Sequence, residues 1–178
     1  VLEPRMDRDF GSSYVHLRAN LLSLDEELCR VDVDQFLFVI DKGNKSEIDG
    51  DTKQALSFYE EAMRIYGGDF LPEELYRPWA DLKREDLQSK YIDSLLRMVE
   101  LYEKQRGTTR KAIELCRRII RIDPLQEPAY QRLMVLYFNR GMRNTAIKIY
   151  DDCRKALEKE LESKPDDLTT SIYRRILA

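Results

Sequence analysis

A repeat constrains this chain more than any other feature. Ala112 and Ala146 lie 34 residues apart, and each opens the same kind of helix. One unit reads Leu95-x2-Met98-Val99-x2-Tyr102, then Ala112-x3-Cys116, and closes on Asp123-Pro124. The next reads Tyr130-x2-Leu133-Met134-x2-Tyr137, then Ala146-x3-Tyr150. Such a period makes each unit a helix pair that cannot bury its apolar face alone. Neighbouring units must cover it, so the expected fold is all-α and built by stacking.

The order of a large residue, Leu-small, Tyr and then Ala-x3-aromatic resembles the tetratricopeptide pattern, which implies a right-handed helical repeat bundle. Repeats of that kind serve as scaffolds that bind partners. Ala55-x3-Tyr59-x2-Ala62 copies the second helix of a unit, so a degenerate first unit is expected over 32–66. Its first helix starts at Asp32 as N-cap, with Val33, Phe36, Leu37 and Ile40 as the apolar stripe. Gly43, Asn44 and Gly50 predict a loop. Asp51 or Thr52 caps the next helix, whose inner face is Ala55, Phe58, Tyr59, Ala62 and Ile65, and Gly67-Gly68 ends it.

Pro78 suits a first helical turn, and no Gly or Pro follows until Gly107. A helix of about 28 residues, about 42 Å long, is therefore predicted from Pro78 to about Gln105. Its second half is repeat-like. Its first half, with Leu82, Leu87 and Tyr91, is an extension that ordinary repeats lack. Helices follow at about 109–122, 127–140 and 143–162, with Gly107 and Gly141 at the turns. Pro165 breaks the last of these. A final helix, 168–177, carries Leu168, Ile172, Ile176 and Leu177 and is expected to cap the open end of the stack.

The start of the chain differs. Residues 1–13 read as a polar linker or frayed end. Tyr14-Val15-His16-Leu17 alternates, and Leu22, Leu24 and Leu28 recur around an acidic turn at Asp25-Glu26-Glu27, which predicts a short β-hairpin over 14–29. The first residue is Val, as in a piece of a longer protein or a processed or tag-cleaved end.

Composition narrows the function classes. Of 178 residues, 33 are acidic and 30 basic, for a net charge of -3. That balance argues against nucleic-acid binding by this chain alone. The three cysteines, Cys29, Cys116 and Cys153, show no CxxC spacing. Neither a disulfide framework nor a zinc site is expected, and a reducing, cytoplasmic setting fits. Cys116 and Cys153 fall on repeat positions that point between helices, as small core residues do. No apolar run approaches the roughly 18 residues that span a bilayer, and no signal peptide is visible, so no membrane partner is expected.

No catalytic, metal-binding or cofactor-binding constellation stands out, and the chain is not expected to be an enzyme. His16, the single histidine, has no His, Cys or paired carboxylate at ligand spacing. No glycine-rich phosphate loop and no nucleophile motif is present. Asp151-Asp152 and Asp166-Asp167 read as solvated faces and helix-start charges. Arg110, Lys111, Arg117, Arg118 and Arg121 form the most basic stretch, with Glu114 four residues from both Arg110 and Arg118. It reads first as a solvated outer face and second as a docking patch for a partner or a DNA backbone.

The candidate sites are therefore partner contacts. Trp79, the only tryptophan, stands with Tyr76 at the entry to the long helix; core packing is its simplest role and an interface the alternative. If the first helix of each unit lines a concave groove, the groove positions are Asp93, Leu96, Glu100 and Glu103 in the second unit. In the third they are Gln131, Val135, Phe138 and Asn139. This groove is expected to be acidic at one end and apolar at the other. Repeat proteins that clamp a C-terminal carboxylate have Lys and Asn at matching positions, which this sequence lacks.

A wider set of residues carries a more specific resemblance. Tyr66-Gly67-Gly68-Asp69-Phe70-Leu71-Pro72 with Pro78-Trp79, and Asp123-Pro124-Leu125 with Glu127, are similar to the bacterial transcriptional activator domain. So are Leu133-Met134 with Tyr137 and Gly141, and the closing set Tyr150, Cys153-Arg154, Leu157, Glu160-Leu161, Pro165 and Tyr173. The resemblance covers about residues 31–177. Two departures are a degenerate first repeat and a loop at 105–111 one residue longer than usual. In that family the module follows an OmpR-like winged helix in antibiotic-regulatory activators and in large MalT-like, ATP-dependent regulators. Tyr14 to Leu28 then looks like the closing hairpin of a winged helix, and Val31-Asp32-Val33-Asp34-x-Phe36 like the junction.

The resemblance thus implies residues 1–30 as linker and winged-helix remnant, and 31–178 as the activator domain. It implies an interaction, oligomerisation and signal-relay module of a transcription regulator. Its partners would be a second copy in a dimer, RNA polymerase, or the regulator's own sensor region. DNA would be reached only through an upstream winged helix. The alternative is a free-standing repeat adaptor that binds a peptide or protein.

Overall fold

The computed structural model describes residues 15–25, 29, 31–73 and 77–178. Among these it holds a two-stranded hairpin, β1 Val15–Arg18 and β2 Leu21–Leu24, and seven helices. The helices are α1 Asp32–Ile48, α2 Thr52–Ile65, α3 Pro78–Glu103, α4 Thr109–Ile122, α5 Glu127–Asn139, α6 Arg143–Leu161 and α7 Asp167–Leu177. The predicted all-α repeat stack with a short hairpin is therefore present.

Short connections force neighbouring helices to pair. α1 packs on α2, α3 on α4 and α5 on α6, each pair joined by a tight turn. α2 then meets α3, α4 meets α5, and α7 lies against both α5 and α6. This is the nearest-neighbour stacking of a repeat protein. The repeat alanines explain how the helices approach: Ala55, Ala112 and Ala146 are all fully buried. Four residues on, Tyr59 and Cys116 are also fully buried, while Tyr150 stacks on Tyr173 of α7 with ring centroids 3.9 Å apart. Leu95, Met98, Ile119 and Met134 fill the space between units, and each such burial is worth roughly 1.5–3 kcal/mol.

Helix ends follow local chemistry. Asp51 caps α2, its carboxylate accepting from the Gln54 N–H at 2.9 Å. Asp166 caps α7 by accepting from the Thr169 N–H at 2.5 Å. Pro78 occupies the first turn of α3, which runs 26 residues to Glu103. Asp32 is not the N-cap of α1 as expected. Val31 holds that position, and the Asp32 carboxylate accepts from the next N–H, that of Val33.

Two local expectations are corrected. The hairpin turns at Ala19-Asn20, not at Asp25-Glu26-Glu27. Both turn residues have positive φ, 50° and 62°, which matches a two-residue turn to the twist of the strands. The resulting register pairs Val15 with Leu24 and Leu17 with Leu22. Asp25 follows β2 and returns a carboxylate to His16, Oδ2 to Nε2 2.9 Å. Glu26, Glu27 and Leu28 lie outside the described residues.

The second correction concerns Gly43 and Asn44. They do not form a loop; α1 runs through them to Ile48. Gly43 is buried because the Tyr59 ring of α2 lies where a side chain would be. A Cβ there would come within 2.6 Å of Tyr59 Cε1. Tyr59 is held in place by its hydroxyl, which donates to Asn44 Oδ1 at 2.7 Å and lies 3.0 Å from Glu47 Oε2. Burial and the Glu47 carboxylate push the Tyr59 phenol well above its ordinary pKa. Gly43 is thus a contact point between helices.

The first half of α3, the extension beyond an ordinary repeat, packs on the first unit. Leu87 and Tyr91 are buried. Tyr91 stacks on Tyr66 with centroids 4.0 Å apart, and Phe36 of α1 lies 5.4 Å from Tyr66 and 6.4 Å from Tyr91. Leu82, by contrast, is exposed.

Candidate partner-binding surfaces

The first helices of the second and third units, α3 and α5, together with α7, enclose a cavity of about 560 Å³. Gln131, Val135 and Asn139 line it, joined by Glu103, Thr109, Arg132, Leu136, Arg140 and, from α7, Leu168 and Ile172. α7 enters because Gln131 Nε2 donates to Thr169 Oγ1 at 2.8 Å, and Glu127 accepts the Asp166 N–H at 3.0 Å. Gln131 therefore anchors the terminal helix as well as facing the groove. Thr169, Ile172 and Ile176 bury beneath it.

The acidic end of the groove is neutralised within the chain. Arg132 reaches back from α5 to α3, 2.6 Å from Glu100 and 2.8 Å from Glu103. Burial raises the Glu103 carboxyl pKa, and Arg132 opposes that shift. Arg132 is a cavity-lining residue that the sequence reading missed. A signal was available: Glu100 and Glu103 share a helix face, and a single arginine one repeat later can bridge both.

The remaining candidates scatter. Leu96 is half-buried and packs against the core. Asp93 lines a separate depression with Asp41, Lys90 and Arg97. Phe138 is 38% exposed near the end of α5, outside the cavity lining. Trp79 is 60% exposed, which overturns core packing as its role. Its ring meets that of Phe70 in a T-shaped contact, with centroids 6.5 Å apart. It cannot be internal because it stands in the first turn of α3, at the outer margin of the stack. Tyr76 lies outside the described residues.

The basic stretch on α4 is largely spoken for. Arg117 donates to the Tyr137 hydroxyl at 2.6 Å, Arg118 lies 5.5 Å from the Tyr91 ring centroid, and Lys111 lies 5.0 Å from that of Tyr102. The Tyr102 hydroxyl donates to Glu60 at 2.6 Å, and burial with that carboxylate raises its pKa. Glu114 pairs with Arg110 at 3.0 Å. These cations mostly hold aromatic rings of neighbouring helices in place. Cys116 and Cys153 are buried core residues, and burial pushes both thiols up to about 12. Among the described residues, no cluster of His, Cys, Asp or Glu could hold a metal ion, and no helix is long and apolar enough to cross a membrane.

The family model of the bacterial transcriptional activator domain matches residues 31–177. The chain belongs to that family. The match spans α1 to α7, so every packed helix just described is part of this activator domain. Its fold is shared with Mycobacterium tuberculosis EmbR, solved with a low-affinity phosphopeptide, at a TM-score of 0.74 and 17% identity. That alignment covers 92% of this chain and 43% of the EmbR chain, so the domain spans less than half the length of that relative. The second TPR domain of human RPAP3, solved with an HSP70 peptide, gives a TM-score of 0.52 at 16% identity, covering 83% of this chain and 99% of that one. The TPR domain of Sgt2 from Aspergillus fumigatus gives 0.53 at 16%, with 80% and 77% covered. At these identities the likeness is one of fold. No curated protein sequence matches the chain.

Proposed function

We propose that this activator domain is the interaction, self-association and signal-relay module of a DNA-binding transcription regulator. The cavity between α3, α5 and α7 carries the reading. It keeps Val135, Leu168 and Ile172 on its walls while the charges beside it, Arg132 with Glu100 and Glu103, are already paired. Leu168 remains 57% exposed and Phe138 stands nearby on α5. An apolar floor with a polar rim, here including the exposed Arg140, is how protein-binding surfaces are built. The partner would be a second copy, RNA polymerase or the regulator's sensor region, in a cytoplasmic setting.

The hairpin supports a division of the chain into a winged-helix remnant over 1–30 and the activator domain over 31–178. The register places Val15, Leu17 and Leu24 on one face, and there Leu17 is 68% and Leu24 50% exposed. A wing buries such a face against its own recognition-helix domain, through which the regulator would contact DNA. A free-standing adaptor for a peptide is the alternative, supported by the fold likeness to a peptide-bound TPR domain.

Light scattering on the purified chain, with and without the upstream domain, tests the reading. Concentration-dependent dimerisation, or activation lost on Leu168→Asp and Phe138→Asp with the fold intact, is expected. A monomer at all concentrations, joined to full activation by both variants in the intact regulator, refutes it. An upstream reading frame with no winged helix would favour the adaptor.

A further inference from the structure

A second cavity, of about 380 Å³, lies away from the groove where α1 begins and α2 hands over to α3. Its walls carry three aromatic rings, Phe36, Tyr66 and Phe70, and three carboxylates, Asp32, Asp69 and Glu73. No lysine or arginine is among the described residues that line it. This contrasts with the rest of the domain. Elsewhere, Tyr102 and Tyr137 each face a cation, Lys111 and Arg117 respectively, while Arg118 lies over Tyr91 behind the Tyr66 ring.

The cavity is a built feature. Arg84 of α3 donates through Nε to the Phe70 carbonyl at 3.1 Å and through Nη2 to the Leu71 carbonyl at 3.2 Å, while Asp81 holds its other nitrogen at 2.5 Å. The wall also contains an unusual polar defect. The hydroxyls of Tyr66, a lining residue, and of Tyr91, stacked behind it, are buried without a hydrogen-bond partner.

We infer that this cavity receives an arginine side chain presented by a partner protein. A guanidinium is planar, weakly hydrated and always charged, so it stacks on aromatic faces and pairs with carboxylates at once. The half-buried rings of Tyr66 and Phe70 and the carboxylates of Asp32, Asp69 and Glu73 supply both contacts. The inference rests on the reading of the domain as a partner-binding module, and names the chemistry that one contact of that partner would have.

The test uses the full chain and ethylguanidinium as probe, followed by amide-resolved NMR. Shifts should saturate at Val33 and Gly67 to Glu73 and spare the groove residues Val135 and Asn139. The neutral analogue butyramide should leave them unmoved. Asp69→Asn and Glu73→Gln, both at exposed positions, should each weaken binding by roughly fivefold, as loss of one exposed charge pair does, and added salt should do the same. Equal shifts with butyramide, shifts spread over the surface, or affinity unchanged in the double variant would overturn the inference. The probe needs no partner, so this result is independent of the light-scattering outcome. Dimerisation without guanidinium binding removes only the arginine pocket.

Discussion

Gly43→Ala is the sharpest test of how the first repeat is packed, because two physical effects predict opposite signs. In a helix interior, alanine is favoured over glycine by about 1 kcal/mol. On propensity alone the variant should be stabilised. The structure says otherwise. The new methyl would lie 2.6 Å from Tyr59 Cε1, 2.9 Å from Cδ1 and 3.1 Å from Cζ. The ring would have to retreat by roughly 0.8 Å to restore ordinary contact. It has no space, being fully buried, and its hydroxyl is held at Asn44 and Glu47. Overpacking typically costs about 1–3 kcal/mol, and each hydrogen bond lost with the ring adds about 1 kcal/mol. After subtracting the propensity gain, a net loss of about 1–3 kcal/mol remains. Thermal unfolding followed by circular dichroism should show a midpoint lower by roughly 3–10 °C. In a Tyr59→Leu background the same change should become neutral or stabilising, a coupling above about 1 kcal/mol. A midpoint that rises in the Gly43→Ala single variant would refute the contact.

Three further outcomes are expected. Arg84→Ala should free the segment at Phe70-Leu71, where Leu71 holds a positive φ of 46°, cost about 1–2 kcal/mol, and expose 67–73 to limited proteolysis. At pH 8 a thiol reagent should modify the half-buried Cys29 first and reach Cys116 and Cys153 only when denaturant is added; equal rates for all three would contradict their burial. Stability should fall in alkali. With the Cys116 and Cys153 thiols held up at about 12, the unfolded chain loses those protons first, near 9. Their contribution is whole below about pH 9 and is lost as pH rises towards about 12, and Cys116→Ala with Cys153→Ala should flatten that slope in denaturant titrations.

Helix order was legible in the sequence because it depends on local signals. Ala112 and Ala146 at 34-residue spacing, Pro78 at a first turn, and Asp51 at a cap act within a few residues of themselves. The Asp51 cap and the buried alanines at 112 and 146 accordingly appear where the pattern placed them, whereas Val31 takes the cap expected at Asp32. The candidate groove was legible only in part. Val135 and Asn139 follow from periodicity along a single helix. Arg132 does not, since its role comes from two carboxylates 29 and 32 residues earlier, brought near by stacking.

By itself, then, the sequence determined the class of fold, the repeat frame and the family of the chain, since all three rest on residue type at fixed spacing. Tertiary structure decided the rest. Gly43 is a contact and not a turn because Tyr59, from another helix, occupies the space beside it. Trp79 is a surface residue because it lies where the stack ends. The 380 Å³ cavity at Tyr66 exists because α1, α3 and the segment between α2 and α3 meet there. A spacing rule describes one helix at a time, whereas each of these features depends on which atoms of a second helix arrive within a few ångströms.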